Sequence, residues 1–566
     1  MEPDKDYSAW SNEQLIRRVT ELEAQLKRQN ANFKSRSPSP LPPPKKTKSK
    51  PPKAFDPSRY STRLIALKFA YLGQRYNGFE HHANNTTPLP TIEEELWKAL
   101  MKTRLIFPTR MNELKEGEID WEGCDYSKCG RTDRGVSAFG QVIGIRVRSN
   151  RPLAKREMSK SPERGGVQGE DVELAQDNTQ EETDELLTKP PFDHIKDELP
   201  YIQLLNRVLP EDIRMLAWCP SPPPDFSARF SCRERRYRYF FTQPAFAPVP
   251  GDRGLQITVD GKPLREGWLD IEAMQDAAKR YEGLHDFRNL CKIDPSKQIT
   301  NFERRIFHAS IQRVDPRDGP VGYVGQPEFG RNRDEQAITN GAQHGSRDGP
   351  PVMYTFDVHG SAFLWHQVRN LVAVLFLVGQ GLEPPSIVSD LLDITKNPTR
   401  PKYEMATDAP LVLWDCIFPA DISENTTSRP DALEWIYVGD DGGRETNKKP
   451  ELDGGDGKFG RGGIMDALWE VWHKRKIDEV LAGSLLDIVA KQGRTRSIPG
   501  SALPLEQRSA RVFDGGHMPR MVGKYIPVMQ KDRMETVEVI NARYAERKNL
   551  DKKAAGSETK AEDADE

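Results

Sequence analysis

The run Cys129-Gly130-Arg131-Thr132-Asp133-Arg134-Gly135-Val136-Ser137-Ala138 holds the residue types best suited to chemistry in this chain. An Asp set between two arginines has its charged form favoured, so Asp133 is expected to be ionised at neutral pH. The glycines at 130 and 135 permit a tight turn that lifts such a carboxylate off a strand edge and into a cleft. A carboxylate held there can serve as a nucleophile or a base. The same residues also fit an Asp–Arg ion pair that only holds a loop together, since ion pairs in turns are abundant.

Two further stretches carry candidate partners. From Phe226 to Tyr239, Arg229, Arg233, Arg235, Arg236 and Arg238 interleave with Phe226, Phe230, Tyr237 and Tyr239. Guanidinium groups bind phosphate bidentately and exposed rings stack on unpaired bases, so the pattern suits RNA. A strand with a buried aromatic face and a solvated basic face shows the same alternation. In Ala362 to Leu371, helical spacing places His366, Arg369 and Asn370 on one face, while Val368, Leu371, Val372 and Leu375 make the buried stripe. A cation entering so apolar a helix is costly unless a carboxylate or phosphate meets it, and Asp133 is a candidate. The alternative is an Arg at the helix edge reaching solvent.

Periodicity supplies the elements that must position these residues. Ile65, Leu67, Phe69 and Tyr71 alternate as a strand, and Ile143, Ile145 and Val147 write a second, with Arg146 and Arg148 facing the other way. Thr91-Ile92-Glu93-Glu94 opens a helix with a capping box and a stripe of Ile92, Leu96 and Leu100. Tyr237, Tyr239 and Phe241 predict another strand, and Asp270 to Glu282 a helix stopped by Gly283. Arg305 to Val314 and Val352 to Val358 read as paired strands, Ser361 to Val378 as an apolar helix ended by Gly379 and Gly381, and Met465 to Val489 as a late helix. Strands and helices mix without regular βαβ repeats, which predicts an α+β fold.

Composition bounds the rest. The chain has 566 residues, 30% charged and 36% hydrophobic, with 44 Pro and 42 Gly, a balance that predicts one large folded body plus disordered segments. The segments expected are 1–62, a basic N-terminal extension with a short helix at 11–30; 63–418, the main body, with disordered insertions at about 150–190 and 315–350; 419–545, a C-terminal extension with helices; and 546–566, a disordered charged tail. The helix at 11–30 pairs with a partner or stands alone as an amphipathic helix. The run Pro44-Lys45-Lys46-Thr47-Lys48-Ser49-Lys50 fits a nuclear-localisation signal, a loose RNA-binding tail or a solvated linker, and location in nucleus and cytoplasm is the expectation. The net charge of −2 decides nothing about a polyanionic partner, because totals average over tails. Six Cys at 124, 129, 219, 232, 291 and 416 follow no metal-ligand spacing, so free thiols and no metal are expected. No signal peptide is evident, and the apolar run Leu371 to Val378 is too short to span a bilayer, which predicts a soluble intracellular protein with no membrane partner.

Taken in order, these segments resemble the TruA family of pseudouridine synthases. The resemblance begins at Tyr71-Leu72-Gly73-Gln74-Arg75-Tyr76-Asn77-Gly78-Phe79 and runs through Thr91 to Leu96, Gly130-Arg131-Thr132-Asp133, Arg236-Tyr237-Arg238-Tyr239 and Val368-Arg369-Asn370. It covers Arg63 to about Phe418, minus the two insertions. Within the family, Gly135-Val136-Ser137-Ala138-Phe139-Gly140-Gln141 and His285 to Lys292 are similar to the eukaryotic branch acting on tRNA uridines 38 and 39 of the anticodon arm. A sibling branch, acting on other tRNA positions and small nuclear RNAs, is the alternative. His81-His82, the long insertions and the extension beyond Phe418 depart from the family pattern without touching the catalytic motif.

The resemblance implies a pseudouridine synthase fold: a two-lobed mixed or antiparallel central sheet, flanked by helices, around a basic RNA-binding cleft. It implies Asp133 as the nucleophile, or as the base of an elimination route, with Arg369 and secondarily Arg131 holding it ionised. Tyr237 is implied to stack on an extruded uracil. Arg134, Arg146, Arg148, Arg229, Arg235, Arg236 and Arg238 are candidates for phosphate contacts, some of which must face away by strand alternation, and His366 is a further substrate contact. The reaction is an isomerisation, so no cofactor is expected; tRNA is the expected partner, and a homodimer is one compatible assembly. A non-catalytic RNA-binding protein on the same fold and an aspartyl phosphotransferase are the competing classes. The latter needs a second acid near Asp133 for magnesium, and no Asp-x-Asp spacing lies there.

Overall fold

The computed structural model describes residues 18–20, 56–82, 88–110, 114, 117–153, 191–249, 254–315, 320–325, 351–420, 431–440, 457–460, 462–493 and 509–548. Arg18 to Thr20 are helical; the rest of the expected helix at 11–30, the basic run at 44–50 and nearly all of both expected insertions lie outside the described residues.

A ten-stranded sheet runs through the unit beginning at Ser58. Its first half is built from β1 (Ser61–Tyr71), β2 (Ser127–Lys128), β3 (Ser137–Ser149) and β4 (Ile213–Cys219), with helices α1 (Ile92–Lys102) and α2 (Tyr201–Asn206). Its second half holds β5 (Glu234–Gln243), then a small hairpin of β6 (Leu255–Ile257) and β7 (Pro263–Arg265) outside the main sheet, and α3 (Ile271–Lys279). The chain continues through β8 (Gly283–Asp286), β9 (Glu303–Arg313), β10 (Val352–Gly360), α4 (Gln367–Gly379) and α5 (Ile387–Leu392). Strand β11 (Leu411–Ile417) joins the halves, lying parallel to β3 at Ser137–Ala138 and antiparallel to β5. A short β12 (Ile436–Tyr437) extends the first edge, giving the order β12-β4-β1-β3-β11-β5-β10-β9-β8 with β2 on β3. The α+β expectation and the mixed, mainly antiparallel sheet agree with this architecture.

Each half has its own apolar core. Ile65, Leu67, Phe69, Leu96, Leu100, Ile143 and Ile145 close the first, and Leu371, Val374, Leu375 and Phe376 of α4 are the centre of the second. Tyr237 packs against both, so β5 stands where the lobes meet. The Thr91 hydroxyl caps α1 by accepting from Glu94 N at 3.2 Å, and Asp270 caps α3 by accepting from Ala273 N at 2.9 Å.

Two boundaries differ from the expectation. The helix expected from Ser361 starts at Gln367, because Leu364 N donates to the Gln367 side chain (2.8 Å) and Gln367 N to Leu364 O (3.0 Å), folding 361–366 into a turn. The last helix of the extension, α7 (Val537–Lys548), runs past the expected start of the charged tail at 546; before it comes α6 (Ile464–Lys491). Between them lies a hairpin of β13 (Arg511–Val512) and β14 (Arg520–Met521), and Val512, Phe513 and Tyr525 of this segment join the second lobe's core: Phe513 packs on Phe376 at 4.7 Å, and the Tyr525 hydroxyl donates to buried Glu383 at 2.6 Å. Among the described residues, no helix is long and apolar enough to cross a membrane.

Candidate active site

Residues 129–136 connect β2 to β3 and are held from behind by the segment that follows β1. Phe79 N donates to Thr132 O (3.0 Å), Gly135 N donates to Tyr76 O (3.3 Å), and the Tyr71 and Thr132 hydroxyls share a hydrogen bond of 2.7 Å. Gln141 reaches forward from β3 to donate to Gly130 O at 2.9 Å. Gly78 (φ +88°) lies flush against this loop: a Cβ there would sit 2.9 Å from Thr132 O and 3.3 Å from the Asp133 carbonyl carbon. Gly135 (φ +80°) supplies the left-handed residue of the turn. The opening Tyr-x-Gly-x-x-Tyr-x-Gly-Phe run is therefore the template on which the Asp133 loop is moulded.

The Asp133 carboxylate points across the lobe boundary at α4. Its Oδ2 lies 3.3 Å from His366 Nε2 and 3.6 Å from Arg369 Nη1. Burial alone would raise the Asp133 pKa, but the hydrogen bond and charge of His366, then the Arg369 charge, outweigh it and hold the carboxyl below its ordinary 3.8. Arg369 is fixed in turn, its Nε donating to Ala406 O at 2.8 Å. His366 occupies a left-handed conformation (φ +60°) at the start of α4, a strained state that surrounding structure must enforce, and its buried Nδ1 has no hydrogen-bond partner. Nε2 is thus the ring nitrogen turned to Asp133. The Asp133 side chain keeps 26% exposure, against 10% for His366 and 11% for Arg369, so the carboxylate faces an open cleft while its two partners sit behind it.

That cleft has a volume of about 1130 Å³ and is walled by both lobes. Tyr237 lines it, edge-on to Phe363 at 5.1 Å, and burial pushes its phenol well above the ordinary range so that it stays neutral. Arg134 is an exposed lining residue. Arg131 lines it too, but its ion pair runs to Glu80 at 3.1 Å, while the ion pairs of Asp133 come from His366 and Arg369. Arg236 and Arg238 are absent from the lining. They share the face of β5 opposite Tyr237, where Arg236 pairs with Glu234 (2.6 Å) and Arg238 stacks on Trp414 (4.0 Å) and pairs with Asp357 (3.1 Å). Arg146, paired with Asp125, and Arg148, bound to Arg104 O, also lie outside the cleft. Arg235 and Arg229 are the cleft arginines of this stretch.

Phe230, one of the interleaved aromatics, lines the cleft, and so do Trp365, Lys292 and Lys128, which the sequence reading did not single out. Trp365 is exposed beside His366, with Lys292 Nζ 4.0 Å over its ring, and Phe230 is 62% exposed under Arg229. Lys128 bridges Glu80 and Glu93 at 2.8 Å each. The available signal for Trp365 is an aromatic beside a basic residue, outside the helix register that would bury it.

Comparison with known proteins is consistent with this geometry. A family model described as tRNA pseudouridine synthase matches residues 277–419. A Saccharomyces cerevisiae protein named tRNA pseudouridine(38/39) synthase is 34% identical over 553 residues, 96% of this chain and 93% of the relative. The chain belongs to the tRNA pseudouridine synthases. Synthases of the same name from Bos taurus and Homo sapiens are 38% and 37% identical, over 77% and 75% of this chain and 69% and 68% of theirs. In this synthase, an acid, the imidazole and guanidinium behind it, and an aromatic wall converge on one cleft. A phosphotransferase would want a second carboxylate where His366 and Arg369 stand.

Proposed function

We propose that the chain isomerises uridine to pseudouridine at positions 38 and 39 of the tRNA anticodon stem-loop, with Asp133 as the reacting carboxylate. The observation that carries this reading is the ionised Asp133, backed by His366 and Arg369, at the floor of a two-lobed cleft. The reaction breaks the bond from uracil N1 to ribose C1′ and joins C5 to C1′, and the proton displaced from C5 is replaced on N1. Atoms and electrons balance without a cofactor. Asp133 acts either by attack on the nucleoside or by proton abstraction, and both routes need it unprotonated in a site shielded from water. The target base must leave its helix to reach it, and Tyr237 offers the ring on which it rests.

The cleft lining carries eight Lys or Arg side chains and four carboxylates, which supports its use for a phosphate backbone. Arg134, Arg229, Lys292 and Lys297 are the phosphate contacts in this reading, with Trp365 and Phe230 as stacking surfaces for unpaired bases. Positions 38 and 39 rest on the names of the relatives at 34–38% identity. Location in nucleus and cytoplasm is part of the same proposal and rests on the basic run at 44–50. The test is incubation of the purified chain with unmodified tRNA transcripts and mapping of pseudouridine at single-nucleotide resolution. Product at 38 or 39 supports the reading; product only elsewhere overturns the position, and no product overturns the activity.

A further inference from the structure

Cys129, Cys232 and Cys416 are separated by more than a hundred residues each in sequence, yet their sulfurs lie within 4.8 Å of one another. All three side chains are buried. Their convergence is topological: Cys129 follows β2, Cys232 precedes β5, and Cys416 lies in β11, the strand that joins the lobes. We propose that these three cysteines form a site for one thiophilic metal ion of the zinc class, bound as thiolates at the root of the Asp133 loop.

Spacing and charge both support it. Zinc–sulfur bonds of about 2.3 Å at tetrahedral angles put neighbouring sulfurs roughly 3.8 Å apart, so a small inward closure of the trio completes three ligand positions. Soft thiolates select zinc or monovalent copper over calcium and magnesium. Binding one divalent ion releases three thiol protons to solvent and leaves the centre with a net charge of −1. A buried net charge needs a partner, and Arg235 provides it. It stands opposite Cys416 in the sheet register and donates to the Cys129 carbonyl at 2.9 Å, with further bonds to Ser361 O and Arg229 O. Cys129 also lines the cleft, which offers the ion, and a water as fourth ligand, a way in. Three thiols packed only as small apolar side chains are the competing explanation.

An ion there would pin the stem of the Asp133 loop, the lead-in to the Tyr237 strand and the seam strand to one point. The test is metal analysis of the full chain purified without chelator, followed by cobalt(II) titration of the chelator-stripped protein. Expected are about one zinc per chain and, with cobalt, a thiolate charge-transfer band that saturates at about one equivalent. Cys232→Ser and Cys416→Ser should lose both signals, while Cys219→Ala, a buried cysteine elsewhere, keeps them. Cobalt absorption is read on the wild-type chain, so a variant that fails to fold does not blunt the test. Metal-free protein that gives no charge-transfer band while folded overturns the proposal, as does a disulfide between two of the three by mass spectrometry.

Discussion

The two lobes contribute to the site by different physical means. The first presents Asp133 on a loop whose shape depends on polar bonds and close backbone approach: Gly78 against Asp133, Phe79 N on Thr132 O, Tyr71 on Thr132. The second presents His366 from the turn that leads into α4 and Arg369 from the first turn of α4, a helix whose residues are all buried. A loop held by hydrogen bonds keeps its reacting group partly open to the cleft. A helix held by apolar burial keeps its guanidinium desolvated and rigid. The difference explains why the acid remains ionised while facing the substrate side: its charge partners lie on the dry side of the boundary.

Among the groups that surround Asp133, breaking the guanidinium side should have the largest effect. Arg369→Met leaves Asp133 without its fixed guanidinium, and pseudouridine formation should fall at least about 10²-fold while tRNA binding stays within a few fold, read by single-turnover assay and filter binding. Breaking the burial that holds that helix costs stability first: Leu375→Ala, at a fully buried position, should lower unfolding free energy by about 2–5 kcal/mol in denaturant melts, with residual activity in the folded fraction. On the loop side, Gly78→Ala forces a side chain into a left-handed residue that touches Thr132 O, so about 1–3 kcal/mol of strain is expected together with an activity loss exceeding the stability loss. His366→Gln sharpens the comparison through pH. Asp133's depressed pKa contributes stability that is fully present above its ordinary 3.8 and is lost as pH falls below it. Removing the imidazole raises that pKa, so the acid limb of the rate profile should move to higher pH in the variant. The smallest effect belongs to Arg236→Ala on the far face of β5, which should leave binding within about twofold, whereas Arg134→Ala should lower the slope of log affinity against log salt by about one.

How much of this was legible in the sequence varied with the distance over which the signal acts. Local signals are realised: Thr91 caps the helix it is expected to cap, the helix expected from Asp270 forms, and the alternation of β1, β3 and β5 appears in the sheet. The alternation at Arg236-Tyr237-Arg238 established that neighbours face opposite ways, but which face meets the cleft depends on the seam strand β11. That strand, Leu411 to Ile417, shows no alternation because both its faces are covered, and it went unread. The same is true of β4 and of the hairpin at 511–521, whose place in the core depends on partners far away in the chain. Asp133, Arg369 and His366 were recognisable as residue types, yet Arg131 pairs with Glu80 because Lys128 and Glu93 build a separate network beside the loop. The cysteine trio was invisible for a simple reason: ligand spacing within one segment is a sequence signal, and convergence of three segments is not.

The central claim is that Asp133 performs the chemistry and does not merely hold the loop. Asp133→Asn keeps the volume and the hydrogen-bonding reach while removing the charge. With enzyme in excess over an unmodified tRNA transcript, tRNA binding is expected within about threefold of wild type and product below about a thousandth of it. Pseudouridine formed by the variant at a rate near wild type would contradict the account.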